Sequence, residues 1–207
     1  MFALFSAVKQ PLRHVLRLAV LVSVVLMAGC ATHYVDGAVK DTPASAYARP
    51  AHPHPVQLVV EFQTKGAANA RATELVKPMV VQAVDASGLF SGVQATPAEN
   101  AGLLSVTIDN VPLTDDAYRK GFLAGLTLGV AGSTVTDGYV CTVTYTGPGG
   151  PSPIVRKSKH AIHTALGAEG APAGGIKTSS IQEAVSIAMR QMVGAALSAL
   201  SHDPAFK

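Results

Sequence analysis

Tryptophan is absent from this chain of 207 residues, cysteine occurs only twice, and charged side chains make up 14% of the composition. Two cysteines are too few for a disulfide framework. The Gly-x-Ser-x-Gly motif of serine hydrolases is also missing. Gly132 is followed by Ser133 and Thr134, without the lysine that a phosphate-binding loop requires. We therefore expect no enzymatic activity, no cofactor and no metal site.

The N-terminal residues have the three parts of a secretory signal peptide. Lys9, Arg13 and Arg17 provide positive charge, and no acidic residue occurs before Asp36. The apolar run Leu18–Met27 follows, and the small residues Ala28 and Gly29 come directly before Cys30. A positive flank, a short apolar segment and a small-residue cleavage site are typical of such a signal.

A cysteine directly after the small residues resembles the lipobox of bacterial lipoproteins, although Met27 stands where that family usually has leucine. The resemblance implies that Cys30 carries fatty acyl groups, among them palmitate, and becomes the mature N-terminus. Ala31, rather than aspartate, after the cysteine implies the periplasmic face of the outer membrane. A plain cleaved signal and an uncleaved anchor are the alternatives. A helix over 18–31 would be about 21 Å long, short for a hydrocarbon core of about 30 Å.

The remaining chain predicts one domain without a basic surplus. Removal of residues 1–29 leaves 178 residues with 13 basic and 13 acidic side chains, enough for a single core. The even balance gives no reason to expect nucleic-acid binding. We predict a signal peptide over 1–29, a lipidated cysteine and tether over 30–55, and one domain over 56–207.

The tether prediction depends on the proline-rich end of residues 31–55, which have no sustained periodicity. Proline favours extended geometry, so the segment would act as a spacer that keeps the domain off the membrane. His52 and His54 lie in this spacer, and two imidazoles on such a segment would make a poor metal site.

Hydrophobic periodicity predicts six elements in the order β-α-β-β-β-α. The α/β (α+β) fold would be a two-layer sandwich, a mainly antiparallel sheet with two helices on one face. The strands are Val56–Gln63, Gly102–Val111, Gly138–Thr146 and Ile154–Ala165, and the helices cover Ala67–Ser87 and a segment from Ile181 to about Leu200. Pro78 would bend or divide the first helix, Gly88 would end it, and Ser180 with Glu183 would form a capping box for the second.

This element order, after a signal and a lipidated cysteine, resembles small Gram-negative envelope lipoproteins of the YajG type. The resemblance covers residues 56–203, with the terminal helix that begins near Ile181–Val185. It implies a similar architecture and no catalytic residue.

The glycine-rich insertion Gly121–Gly132 is the segment most open to interpretation. Gly121, Gly125 and Gly129 are four apart, with Gly132 three further on, so on a helix they would form one groove. Such grooves let two helices approach closely. Three readings remain open: a loop or short helix packed on the sheet, a helix-pairing face, or a membrane-inserting element.

The other candidate residues predict structure rather than chemistry. Cys141 lies on an alternating strand and is expected to be buried. Asp115–Asp116 would form a turn. His160 and His163 would point to opposite strand faces, although on a helix they would share one. The basic residues Arg156, Lys157 and Lys159 would guard an edge strand, with binding of an anionic headgroup or glycan as the alternative.

The sequence thus predicts a membrane-anchored lipoprotein that acts as a non-enzymatic binding or assembly module of the cell envelope. Its expected partners are the membrane, through the N-terminal lipid, and a protein or further copies of the chain. The alternative is an oligomeric export or pore component whose segment 121–132 enters the membrane.

Overall fold

The structure is a computed structural model that describes residues 31–113, 135–150, 152–165 and 171–206. One sheet of eight strands and two helices form an α/β sandwich, as predicted. A 3₁₀ turn, Ala44–Ala46, lies between the first two strands. In chain order the elements are β1 (Thr32–Asp36), β2 (Pro55–Thr64), β3 (Ala67–Ala68), α1 (Ala70–Ser87), β4 (Gly92–Gln94), β5 (Gly102–Pro112), β6 (Val135–Thr146), β7 (Ile154–Ala165), β8 (Gly175–Lys177) and α2 (Ile181–Ser201).

The sheet is mainly antiparallel, with one parallel unit. Its strand order is β3-β2-β5-β6-β7-β1-β8, and β4 also pairs with β2. The pairs β2–β5 and β2–β4 are parallel, and the remaining pairs are antiparallel. A parallel pair needs a crossover, and α1 supplies it between β2 and β5. The long strands β5, β6 and β7 form a continuous antiparallel meander beside this unit.

The core lies between the sheet and both helices. Alternation along each strand puts one set of side chains on the helix face, as pleated strands require. Helix α2 packs on β7, β6 and β1, and α1 packs on β2 and on α2. Among the fully buried residues of this core are Val56, Leu104, Ile108, Val143, Ile162, Met189, Met192 and Leu197.

Local signals at the helix ends mostly act as the sequence predicts. Asn69 accepts a hydrogen bond from the backbone N–H of Ala72 (3.1 Å) and begins α1, and Gly88 ends it with φ +64°. Ser180 accepts from the N–H of Glu183 (3.1 Å). The Glu183 carboxylate accepts from Ser179 rather than from the Ser180 N–H, so the predicted capping box is shifted by one residue. Helix α1 continues through Pro78 as one helix, because Val76 and Val80 on either side are buried in the core.

The predicted tether is wrong over its described part, residues 31–55. Thr32–Asp36 forms β1, which pairs with β7 and β8 inside the sheet. The chain then packs along α2, where Ala48 donates its N–H to Ser201 Oγ (3.0 Å) and Ser198 donates to the Ala46 carbonyl (2.8 Å). Proline-rich sequence is extended for local reasons, but here the extended chain finds hydrogen-bond partners on a helix. The domain therefore includes the described residues from Thr32 and does not start at residue 56.

Strand directions place the chain's connections at two ends of the sheet. At one end, which we call the β1-start end, lie Thr32, Thr64, Pro112, Val135 and Ala165. At the opposite end, called the turn end, lie Pro55, Gly102, Thr146 and Ile154, together with the β6–β7 turn. Strand β7 has 12 residues, so the two ends are about 36 Å apart at about 3.3 Å per residue.

Candidate functional site

The sequence-predicted site residues lie outside the described residues. These are the lipidation residue Cys30 and the four glycines of the predicted membrane or helix-pairing contact, Gly121, Gly125, Gly129 and Gly132. Asp115 and Asp116 lie outside as well. The structure therefore leaves these predictions untested, and the candidate site that it presents is a different one.

An open cleft of about 390 Å³ lies at the turn end of the sheet. Its size falls within the roughly 300–1,000 Å³ of small-ligand sites. It is formed by the residue before β2, the end of β6, the β6–β7 turn and the C-terminal segment. The residues that line it are His54, Tyr145, Gly147, Pro148, Gly150, Ser152, Ile154 and Ala205.

Tight backbone geometry builds the wall of this cleft. The Gly150 N–H donates to the Gly147 carbonyl (3.0 Å), and Gly149 between them has φ +67°, a conformation that favours glycine. Gly102 of β5 lies against the side chains of His54 and Tyr145. A Cβ at this position would be 3.0 Å from the Thr146 carbonyl oxygen and 3.0 Å from the Tyr145 ring, so the ring packs directly on the β5 backbone.

Four aromatic rings form a cluster at the cleft, and two of them, His54 and Tyr145, line it. Tyr145 lies at the centre, with ring centroids 5.1 Å from Phe206, 5.8 Å from Phe90 and 5.9 Å from His54. The Phe90 and Phe206 rings meet edge to face at 5.9 Å. Aromatic pairs at such distances contribute about 0.5–1.5 kcal/mol each beyond the area they bury. The cluster fixes the positions of the two polar groups, the His54 imidazole and the Tyr145 hydroxyl.

His54 and Tyr145 form a neutral hydrogen-bonded pair. His54 Nε2 and the Tyr145 hydroxyl are in hydrogen-bond contact. Burial lowers the pKa of His54 below its ordinary value and raises the pKa of Tyr145 to about 12, because a charge is costly away from water. Both groups are therefore uncharged near pH 7. The described lining residues include no carboxylate or cation, and the pair can orient a polar ligand through its hydrogen-bonding atoms.

The placement of His54 corrects its predicted position on a spacer. His54 is half-buried and its carbonyl accepts the Ser91 N–H (3.1 Å), whereas His52 is exposed. The alternation of β2, continued backwards by one pair of residues, could have predicted that His54 faces inward, because His54, Val56 and Leu58 lie on one side of an extended chain.

His160 and His163 point to opposite faces of β7, as the strand prediction requires. His160 Nε2 contacts Gln191 Oε1 of α2 (2.8 Å), while His163 Nδ1 contacts Thr136 Oγ1 of β6 (2.8 Å). Both imidazoles are fully buried, and His163 Nε2 has no hydrogen-bond partner among the described residues. Burial is the main cause that lowers the His163 pKa to about 4; nearby Asp36 opposes the shift.

Cys141 is fully buried in the core, as predicted. Burial raises the pKa of its thiol to about 12, so the thiol stays protonated and unreactive at neutral pH.

The three basic residues of β7 do not form one cluster. Arg156 lies on the helix side, where it pairs with Asp203 and donates to the Ala199 carbonyl (3.2 Å), while Lys157 and Lys159 point to the other face. Strand β7 lies inside the sheet, but β1 pairs only with residues 162–165. Among the described strands, the first part of β7 therefore has a neighbour on one side only, and the predicted charge-guarded edge applies to that part.

Comparison with known proteins gives no family. No protein-family model and no curated protein matches the chain. Two solved structures of PelC from Paraburkholderia phytofirmans, both described as dodecamers, are similar to it at 12% and 14% identity. Each alignment covers 84% of this chain and 97% or 99% of PelC, with TM-scores of 0.37 and 0.38. TM-scores this low do not establish a shared fold.

Metal and membrane features are few within the described ranges. These ranges contain no group of three histidine, cysteine, aspartate or glutamate residues suited to hold a metal ion. One described helix, α2 (Ile181–Ser201), is long and apolar enough to cross a membrane, but 61% of its apolar window is buried inside the domain. Burial of this kind is typical of a core helix.

Proposed function

We propose that this protein is a lipoprotein of the bacterial cell envelope whose domain is a non-enzymatic binding module. Lipid on Cys30 anchors it to the periplasmic face of the outer membrane. The support for the anchor is the order of basic flank, apolar run and small residues before Cys30. Three acyl chains, each adding about 0.8 kcal/mol per buried CH₂, make such anchoring effectively permanent.

The observation that carries the binding role is the neutral cleft at the turn end. Pro148, Ile154 and Ala205 offer apolar surface, while Ser152 and the His54–Tyr145 pair offer hydrogen bonds. Mostly apolar walls with a few placed polar groups are typical of ligand sites. The described lining is uncharged, which favours an uncharged polar ligand or an uncharged segment of a partner.

A cleft-filling variant tests the binding role. Ser152 is exposed and lines the cleft, so Ser152→Trp should fill it, while Ala171→Trp places the same ring at another exposed position as a control. The lipidated protein is used to capture partners from envelope extract. We expect a partner that binds wild type and the control and is lost with Ser152→Trp. Equal capture by all three proteins would contradict binding at the cleft.

The anchor is tested separately. Cells are labelled with radioactive palmitate and fractionated, with Cys30→Ser as the comparison. We expect label and membrane residence in the wild type and neither in the variant. A wild type without label would contradict the lipoprotein proposal.

An oligomeric export or pore component whose segment 121–132 enters the membrane is the second candidate function. One observation favours it: Pro112 and Val135, which flank residues 113–134, both lie at the β1-start end, where the chain arrives from Cys30. The segment thus leaves the sheet on the side of the proposed membrane. Crosslinking in intact cells with Gly125→Leu tests assembly, and unchanged oligomers would contradict a role for the glycines. Protease digestion of the segment in purified membranes would contradict insertion.

A further inference from the structure

The chain reaches the sheet almost directly after the proposed lipid anchor. Strand β1 begins at Thr32, and only Ala31 separates it from Cys30. Two residues extend at most about 7 Å. Thr32 is held in place because it pairs with Ala165 of β7. The start of the sheet therefore lies within about one Debye length, roughly 10 Å, of the lipidated residue.

The segment between β1 and β2 does not act as a flexible linker either, because it is fixed to α2. Asp41 pairs with Arg190 (2.9 Å), and Ala48 bonds to Ser201 (3.0 Å). Gly194 of α2 leaves room for Thr42 and Tyr47, whose side chains would be only 3.0–3.2 Å from an added Cβ. The domain is consequently connected to the anchor at β1 and at no more distant point.

The β1-start end of the sheet carries exposed cations and apolar side chains, some beside β1 and some at the end of β2 four strands away. Lys65, in the turn after β2, is exposed, as is Lys177 of β8, which pairs with Tyr34 of β1. Val135 at the start of β6 is 53% exposed and Ile176 is 44% exposed. The acidic side chain of Asp109 also lies at this end, where it accepts the Gly66 N–H (3.0 Å). Lysines close to an anionic bilayer are attracted to its surface.

We propose that the β1-start end of the sheet lies against the lipid headgroups, held there by the short connection from Cys30. The inference rests on the proposed lipidation and adds the orientation of the domain. The strands then stand upright on the bilayer, and the His54–Tyr145 cleft faces the periplasm about 36 Å away, the length of β7 at about 3.3 Å per residue. A ligand or partner reaches the cleft from the periplasm and not from the membrane.

Site-specific quenching tests this orientation with the full lipidated protein. Fluorophores are attached in separate variants at Lys65→Cys and Lys177→Cys at the β1-start end, and at Ser152→Cys at the turn end. All three positions are exposed, and buried Cys141 gives the background in wild type. The proteins are placed in phosphatidylethanolamine–phosphatidylglycerol vesicles with nitroxide-labelled headgroups. We expect several-fold stronger quenching at positions 65 and 177 than at 152. Equal quenching would overturn the proposal.

A linker variant separates the connection from the anchor. Ten Gly/Ser residues inserted between Ala31 and Thr32 add a flexible segment with an average span of about 18 Å. We expect unchanged binding to vesicles, with quenching at position 65 reduced to about that at position 152. Unchanged quenching would contradict the role of the short connection. If wild type fails to bind vesicles while it also lacks palmitate, the lipoprotein proposal fails; bound protein with equal quenching overturns the orientation alone.

Discussion

The two ends of the sheet differ in what covers them. At the turn end, Tyr145 and Phe206 are buried at 2% and 7% exposure, and their rings close the hydrophobic core beneath a cleft. At the β1-start end, Val135 is exposed and the lysines at positions 65 and 177 point to solvent. The turn end thus has a packed aromatic cluster beneath its cleft, beside Leu103 and Val155 at 43% exposure, whereas the β1-start end presents exposed apolar and basic side chains beside buried Ala165.

Under the proposed function, the two ends of one sheet would separate attachment from recognition. Antiparallel strands return the chain to the same end after every hairpin, so the anchor strand and the flanks of residues 114–134 share one end. The β6–β7 turn and the residue before β2 share the other. The distance between the two functions is then set by strand length, which hydrogen bonding keeps constant.

Removal of one aromatic ring at the turn end is expected to have the largest effect. Phe206 packs on Tyr145 and Phe90, so Phe206→Ala should lower the free energy of unfolding by about 3 kcal/mol. Val135→Ala at the other end should change it by less than about 0.5 kcal/mol. Urea unfolding measures both. A loss below about 1 kcal/mol for Phe206→Ala would show that the two ends are equally unpacked.

The buried histidine near the β1-start end should make stability depend on pH. The His163 pKa is lowered to about 4, so below its ordinary value of about 6.5 the unfolded chain binds a proton that the folded chain does not. Stability from this group is complete above pH 6.5 and falls as the pH falls towards 4. We expect a loss of about 2 kcal/mol between pH 6.5 and 5.

The matched variant for this prediction is His163→Gln, which keeps a polar side chain without the titration. Unfolding at pH 6.5 and 5 should show a smaller loss in the variant by about the same 2 kcal/mol. His54→Gln at the turn end serves as the comparison, because its half-buried imidazole should contribute less. Parallel pH profiles of wild type and His163→Gln would contradict the assignment.

The long elements could be predicted from the sequence because their signals are local. Strand β7 begins at Ile154 and ends at Ala165, as its alternation predicts, and Gly88 ends α1 as its position predicts. The short strands β1, β3, β4 and β8 were missed, since five residues or fewer give too few repeats for a period. Their pairing depends on strands far along the chain: Thr32 meets Ala165. A short stretch of sequence carries no signal for pairing with a strand so far along the chain.

The candidate cleft was missed for the same physical reason. His54 stands between two prolines, a context that predicts extended chain and nothing more. Its partner Tyr145 lies 91 residues away, on the same alternating strand as Cys141. The sequence placed His54 on a spacer and did not single out Tyr145, and only the β2–β5–β6 register brings them together. Predictions on Cys30 and Gly121–Gly132 concern residues outside the described ranges and stay predictions.

Loss of the hydroxyl in the cleft should have a smaller effect than loss of a ring. Tyr145→Phe keeps the aromatic packing and removes the hydrogen bond to His54, so we expect a loss of about 1 kcal/mol. A double-mutant cycle with His54→Ala should give a coupling of similar size. A coupling near zero would mean that the pair does not act as a unit. Phe90→Leu, which retains both polar groups, is the control.

The smallest effect on stability is expected in the segment between β1 and β2, which runs along α2 from one end of the sheet to the other. Asp41 and Arg190 form an ion pair with both side chains more than half exposed, 58% and 53%, and such pairs contribute little because solvent screens them. Asp41→Asn should therefore change the free energy of unfolding by less than about 0.5 kcal/mol, and less still in 1 M salt. Gly194→Leu should cost more, because any Cβ there meets Thr42 and Tyr47. If Asp41→Asn costs as much as Gly194→Leu, charge rather than packing holds this segment on α2.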